Sequence, residues 1–475
     1  MSSSKRNFIY QSIYQLLLII LPFVTAPYVS RVLGANGVGT YSFSTSVVHY
    51  FSIVVLLGIN TYGNREISRV RDNEEKLSSV FSELCFLKFA IGIAILIIYY
   101  IYVGCFVKEN RLIFSIQSLC IISSMFDINW FFFGLEKFKI TVIRNILIKI
   151  VTVILIFVFV KSKSDVWIYT IIMCLETFVS QVVLWGYAKK YFKWFVPQKT
   201  LLIHLKHMSI LFIPSVAMSI YKQMDKIMLG VMTTYTEVGL YEYSEKIINA
   251  PLGLISALGI VMLPRMTSVF HKGNFEQAKK YINKSFSFIL FLSLACAAGV
   301  IGISKDFVPL FFGAEFMGCI SVTCVLSLSF PIVAFANVIR TQYLLPRNMD
   351  KVFVSSIVIG AITNLIINIL LIPQYGADGA AIATLLTELI VCLVQVYTAS
   401  KDINILLVFK KNLWFLISSI IMLFIVIFVS NSFSNNYVAL ILEIITGIVI
   451  YLLLNVKYCV KLLKVKKVGG NQNVK

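Results

Sequence analysis

The sequence predicts an all-α polytopic membrane protein of about fourteen transmembrane helices: two six-helix lobes in a parallel repeat, then two trailing helices. Three observations carry that expectation. Of the 475 residues, 59% are apolar and only 13% are charged, whereas a water-soluble domain is nearer half apolar and about a quarter charged. A soluble fold could not cover so much apolar side chain, so a water-soluble enzyme, a disordered chain and a disulfide scaffold are excluded. The apolar residues also fall in long runs, each matching the ~20 residues of a bilayer crossing. Finally, the basic residues lie between the runs and concentrate on alternate sides of them.

The first run, 8–29, follows Lys5 and Arg6 and continues through Pro22 to Val29. It outlasts the core of a cleaved signal peptide and reads as a retained helix. A second run, 41–59, opens just after Gly39 and closes at the charged segment 60–80. Runs at 81–103 and 112–133 are parted by Lys108 and Arg111, and those at 144–160 and 166–187 by Lys161 and Lys163. The basic connector 188–207 ends this first lobe, 1–207. The second lobe, 208–400, holds runs at 208–230, 238–263, 282–303, 316–343, 352–372 and 378–399. Two trailing runs, 412–430 and 437–456, complete the segment 401–456. The tail 457–475, with Lys457, Lys461, Lys464, Lys466 and Lys467, is expected along an anionic inner leaflet.

With the N-terminus inside, thirty Lys and Arg fall on inner segments and six on outer ones. That bias orients the chain, supports an even number of spans, and puts both termini on the cytoplasmic side. Trp130, Trp167, Trp185 and Trp414 sit near span ends, where amphipathic rings meet the headgroups. The net charge of +20 therefore records topology, and no nucleic-acid partner is expected. No outer connector exceeds about ten residues, which leaves no room for a catalytic or nucleotide-binding domain. A Gly-rich phosphate loop is absent from the sequence, as is any CxxC or metalloprotease His spacing, so no cofactor or metal is expected.

Val38-Gly39-Thr40-Tyr41-Ser42-Phe43-Ser44 recurs as Val238-Gly239-Leu240-Tyr241-Glu242-Tyr243-Ser244. Each copy opens the second span of its set and follows a Leu-Gly pair, Leu33-Gly34 or Leu229-Gly230. Six spans separate the copies, so both carry the same orientation: a parallel repeat about the membrane normal, as transporters have.

Five short motifs, in order along the chain, carry a family resemblance. They are Arg31 to Gly39 after the first span, Tyr62-Gly63-Asn64-Arg65-Glu66, and Asp127 to Glu136 around Trp130 and Gly134. Asp225-Lys226 to Gly230 and Tyr375-Gly376 to Ala383-Thr384 follow. Together they resemble the oligosaccharide flippases, the lipid-linked polysaccharide repeat-unit exporters of the multidrug/oligosaccharidyl-lipid/polysaccharide superfamily. The resemblance implies a two-lobe fold around a central cavity and a transporter, not an enzyme. It implies export of an undecaprenyl-pyrophosphate-linked oligosaccharide from inner to outer leaflet by alternating access. Membrane lipids, and the glycosyltransferases and polymerase of the same pathway, are the implied partners. One departure stands out. The related lipid II flippases carry several arginines in their early spans, whereas the first span here holds Gln11 and Gln15, and only Arg31 matches.

Independently of the family, the seventh span carries Ser215, Ser219, Lys222 and Lys226 at i, i+4, i+7 and i+11, one helix face. A Lys within a span costs ~3 kcal/mol on insertion scales, so the stripe is expected to face protein or water; for the substrate that the resemblance implies, it would attract the pyrophosphate, helped by Arg31. Snorkelling to the headgroups is the plainer account of Lys226. Asp225, Glu242, Glu245 and Lys246 are the candidate charge partners or ion carriers, with Glu242 and Lys246 spaced as an i,i+4 structural pair. In the second span, His49 beside Ser42 and Thr45 reads first as hydrogen-bonded packing. Two other functions compete: a cation-coupled multidrug exporter, which would want carboxylates where lysines stand, and a membrane-embedded glycan polymerase or ligase, which would want a large outer loop.

Overall fold

The structure, a computed structural model, describes residues 3–195, 201–433 and 437–461, with backbone alone at 3–20, 22, 213–215, 217, 218 and 221. Among the described residues there is no strand, and eleven helices are long and apolar enough to cross a membrane. The chain is a multi-pass, all-helical membrane protein. Two of the eleven hold two predicted runs apiece, and the run at 208–230 falls on a helix outside the eleven. By packing, the chain divides into two compact units, Met1–Gly239 and Leu240–Lys475. The sequence repeat divides it earlier, after residue 207, because a repeat marks equivalence and not contact.

The first unit comprises α1 (Ser3–Leu56), α2 (Ile59–Val70), α3 (Glu74–Cys105) and α4 (Arg111–Phe126). Then come α5 (Asn129–Gly134), α6 (Phe138–Phe159), α7 (Val166–Ala188), α8 (Leu201–Met232) and the first turn of α9 (Tyr235–His271). The 54-residue α1 is two helices joined at Gly34, whose φ of 68° and ψ of 175° no helical residue adopts. That backbone lies where an L side chain is strained, which is why glycine serves there. The short α2 and α5 hold a buried aromatic cluster at one end of the unit, including Tyr62, Phe81, Trp130, Phe131 and Phe132. Within the unit, polar side chains pair with one another or with backbone: Gln117 donates from Nε2 to Thr45 Oγ1 at 2.7 Å, and the Tyr99 hydroxyl to the Phe114 backbone carbonyl at 2.6 Å. Such pairing is what a low-dielectric interior demands. Outward, α3 presents Ile93, Ile97 and Ile101 at four-residue spacing, each more than half exposed, a stripe that only lipid covers without cost.

The second unit continues α9 and adds α10 (Phe275–Phe312), α11 (Cys319–Ser327), α12 (Ser329–Ile339), α13 (Asp350–Ala399), α14 (Ile405–Ser432) and α15 (Tyr437–Leu454). Like α1, α13 is two helices joined at a glycine, Gly376, with φ 53° and ψ −130°. The trailing pair α14 and α15 packs on α10, where the Tyr451 hydroxyl donates to the Phe291 carbonyl at 2.8 Å.

The connector between α13 and α14 is tied down by Asp402, which accepts from the Tyr343 hydroxyl at 2.6 Å and pairs with Arg347. The Tyr343 hydroxyl, then the Arg347 guanidinium, hold the Asp402 carboxyl below the usual carboxylate range. A lowered folded pKa means the contribution is whole above the unfolded value and is lost as pH falls through the folded one. The wild-type thermal midpoint is therefore expected to fall more steeply in acid than that of Asp402→Asn, which should start lower at neutral pH. Parallel profiles would remove this assignment.

Candidate substrate-binding face

The stripe on α8 is only partly available to a ligand. Ser219 is buried, with Oγ 2.8 Å from His49 Nε2, and its carbonyl lies 3.4 Å from the Tyr50 hydroxyl. Four residues on from Ser219, Gln223 accepts from the Ser46 hydroxyl at 3.3 Å. These contacts lace α8 to α1, and His49 makes the packing hydrogen bond that its place on an apolar span predicts. Asp225 is buried within electrostatic reach of Tyr50, and half-buried Lys226 lies within reach of His49. Lys222 stands apart. It is exposed at the edge of this seam, and Arg31, on α1, is exposed as well. The Ser215 side chain lies outside the described residues. The face is thus a laced polar seam edged by the exposed Lys222 ammonium, able to attract an anion without fixing its geometry, while Arg31 lies on α1 beyond the Gly34 break, away from the contacts that build the seam.

The two repeat glycines meet. A Cβ on Gly39 would fall within the carbonyl of Tyr235 and 2.9 Å from the Gly239 nitrogen, and one on Gly239 would strike the Ala35 carbonyl. Both are spent on one backbone crossing of α1 with α9. The Leu-Gly pairs before them diverge in use: Gly34 provides the helix break, while Gly230 packs against the Phe43 ring.

In the second unit, Glu242 and Lys246 form the spaced ion pair, Nζ to Oε1 3.5 Å, with the ammonium 4.1 Å from the centre of the Tyr243 ring. Glu245 beside them is half-buried. Tyr241 of the repeat motif hydrogen-bonds Thr384 at 3.0 Å, joining the repeat to the Tyr375-to-Thr384 motif.

The sequence reading missed a buried polar cluster in the first unit. Lys88 on α3 is wholly buried, donates to the Asp127 carbonyl and lies 5.8 Å from the Trp130 ring centre. The Trp130 indole donates to the same carbonyl at 3.0 Å. Around them Asn129 donates to Asp127 Oδ1 at 2.7 Å and to Gln181 at 3.1 Å, while Arg144 donates to Asn129 at 3.3 Å. Further along, Lys149 pairs with Glu176 at 2.8 Å. The signal was present: Lys88, which shares the run 81–103 with Glu83, and a lone Glu176 within 166–187 are intramembrane charges that need partners. Glu136, by contrast, meets Arg71 at 2.7 Å at the surface.

Residues 4–270 match the family model described as polysaccharide biosynthesis protein. Among curated relatives, the protein named "Putative O-antigen transporter" in Escherichia coli (strain K12) is 26% identical over 419 residues, covering 86% of this chain and 97% of the relative. Its namesake in Shigella dysenteriae is 24% identical over 383 residues, covering 79% and 94%. The "Probable low-salt glycan biosynthesis flippase Agl15" of Haloferax volcanii is 23% identical over half of each chain. Among solved structures, the lipid II flippase MurJ in an inward closed conformation superposes with a TM-score of 0.79 at 18% identity, covering 96% of this chain and all of that one. An inward-facing multidrug resistance MATE transporter gives 0.60 at 15% identity, covering 84% and 98%. At such identities these structures establish the fold alone.

Proposed function

The chain belongs to the polysaccharide biosynthesis protein family, and from that premise we propose that it flips an undecaprenyl-pyrophosphate-linked oligosaccharide repeat unit from inner to outer leaflet by alternating access. It is a transporter of lipid-linked glycan and not an enzyme, as the flippase and transporter names of its relatives support. Its membrane is the bacterial plasma membrane, with both termini cytoplasmic, on the positive-inside bias of thirty against six. The glycosyltransferases that build the repeat unit and the polymerase that consumes it are its pathway neighbours.

The observation that carries the headgroup reading is the exposed Lys222 beside the laced seam, with Lys226 one turn further along α8. At ~5 Å and an effective dielectric of ~20, one Lys–phosphate pair gains roughly 3 kcal/mol before desolvation. That matches the ~3 kcal/mol an insertion scale assigns to a Lys in a span, so substrate offsets what the residue costs. Arg31 is the second cation that the anion meets. Ser219, Asp225 and Gln223 hold the helix that presents Lys222, and Glu242, Glu245 and Lys246 stand as charge partners in the second unit. Moving a doubly negative headgroup outward, down an inside-negative potential, gains ~2.3 kcal/mol per charge per 100 mV, enough to drive export without a tightly coupled ion.

Flipping of a labelled lipid-linked oligosaccharide in proteoliposomes tests this. Lys222→Arg is expected to keep partial activity, Lys222→Gln to lose about tenfold, the loss of ~1.4 kcal/mol of attraction, and Lys222→Glu to lose more, all at equal membrane abundance. Full activity in Lys222→Glu would place the headgroup elsewhere.

A further inference from the structure

Three helices of the second unit close on a carboxyl pair that the flipping mechanism leaves unused. Glu443, in the middle of α15, is completely buried, and neither carboxyl oxygen has a hydrogen-bond partner among the described residues. Beside it stands Asp306 of α10, 3% exposed, which accepts from the Ser430 hydroxyl of α14. Glu443 also lines an apolar cavity of about 340 Å³ with Phe291, Ile303, Val426 and Gly447.

The charges and titratable groups facing Glu443 are few. From α10 come Asp306 and Lys305, and Cys296 lies further down the cavity wall. Lys305 is turned to the surface, where it donates to Asn431 of α14 at 3.0 Å. From α15 itself there is Tyr451, whose hydroxyl is committed to the Phe291 carbonyl. Nothing among these compensates a full charge on Glu443, and an ionised carboxylate without a partner in apolar surroundings is expensive enough that the group neutralises instead. A second carboxyl alongside adds to that pressure, since two adjacent carboxylates resist ionising together.

We propose that Asp306 and Glu443 form a proton-binding site that holds one proton between α10 and α15. The proton comes from bulk water and returns to it, and the O–H bond on Glu443 is the only bond made or broken. Bound, it turns Glu443 into a donor toward Asp306 and lets α15 pack on α10 with one net negative charge. Released, it leaves two carboxylates in a wall of apolar side chains and pushes the trailing helix away. The site is independent of the glycan reading above, and its test needs no substrate.

Infrared difference spectra of the full-length protein in lipid nanodiscs, titrated from neutral to alkaline pH, read protonated carboxyls directly. A protonated-carboxyl band is expected in wild type at neutral pH, bleaching as pH rises. It should be missing from Glu443→Gln, a neutral isostere of the protonated form, and in Asp306→Asn, where the like charge is gone, it should bleach at lower pH and change frequency. The folding equilibrium of wild type should also weaken against Glu443→Gln by up to tenfold per pH unit above the range of free carboxyls, because the folded state then binds one proton more than the unfolded. An unchanged band in Glu443→Gln, no such band at any pH, or a band discharged by sodium at fixed pH would each overturn the proposal. Should Glu443→Gln fail to fold, the Asp306→Asn spectrum decides: a band identical to wild type overturns it.

Discussion

Gly39→Ala is expected to destabilise the protein by ~3 kcal/mol or more, and Gly39→Val by more still, because even a bare Cβ has no room at the crossing of α1 with α9. The obstacle is the carbonyl of Tyr235 with the Gly239 nitrogen behind it, and backbone cannot rotate aside as a side chain can. Gly239→Ala meets the Ala35 carbonyl from the other side and should behave alike. The two changes are not expected to add, since either one already forces the helices apart. Gly104→Val is the control: it lies on α3, where an added Cβ meets nothing within 4 Å. Thermal midpoints in detergent, with the folded fraction by size exclusion, measure the contrast. Equal behaviour of Gly39→Ala and Gly104→Val would mean that the crossing has slack.

The second large effect is at Lys88. Lys88→Glu should prevent accumulation of folded protein, because it buries a carboxylate against the Asp127 carbonyl that the ammonium now satisfies. Breaking a buried charged contact this way costs about 3–5 kcal/mol. Lys88→Met is expected to be far milder, ~1–3 kcal/mol, for it keeps the volume and loses only one donor. The Trp130 indole still donates to that carbonyl in the Met variant. Trp130→Phe combined with Lys88→Met removes both donors and should cost more than the sum of the two single changes. Melting curves of the four variants check the order, and equal stability of Lys88→Glu and Lys88→Met would show that the site is wet.

Much of the fold was legible because a bilayer imposes a length. Runs such as 81–103, 144–160 and 412–430 announce their helices by composition alone: α3 and α14 contain theirs, and α6 falls one residue short of the end of its run. What the runs do not encode is how helices are broken and laced. Gly34 and Gly376 look like any other glycine in sequence, yet each carries a helix break, since φ is decided by what the flanking segments pack against. On the candidate face, spacing expects Ser219, Lys222 and Lys226 on one side of a helix. It could not say that Ser219 is committed to His49 while Lys222 stays exposed, because that depends on where α1 lies. Lys88 and Glu443 escaped for the complementary reason: a charge in a span declares that it needs a partner but not which residue answers, and Asp306 lies past the end of the run 282–303, where a carboxylate raises no question.

The Tyr62-to-Glu66 and Asp127-to-Glu136 motifs turn out to be each other's packing partners. A Cβ on Gly63 would lie 2.5 Å from the Trp130 indole, and one on Gly134 would lie 2.6 Å from Ile67. Residues that fit together this closely are expected to change only in concert, whatever the cargo. Two members sharing these motifs are thereby shown to share a scaffold, and nothing about their sugars. Transplanting glycan selectivity between such proteins would then leave both motifs in place and exchange the less constrained positions that face solvent.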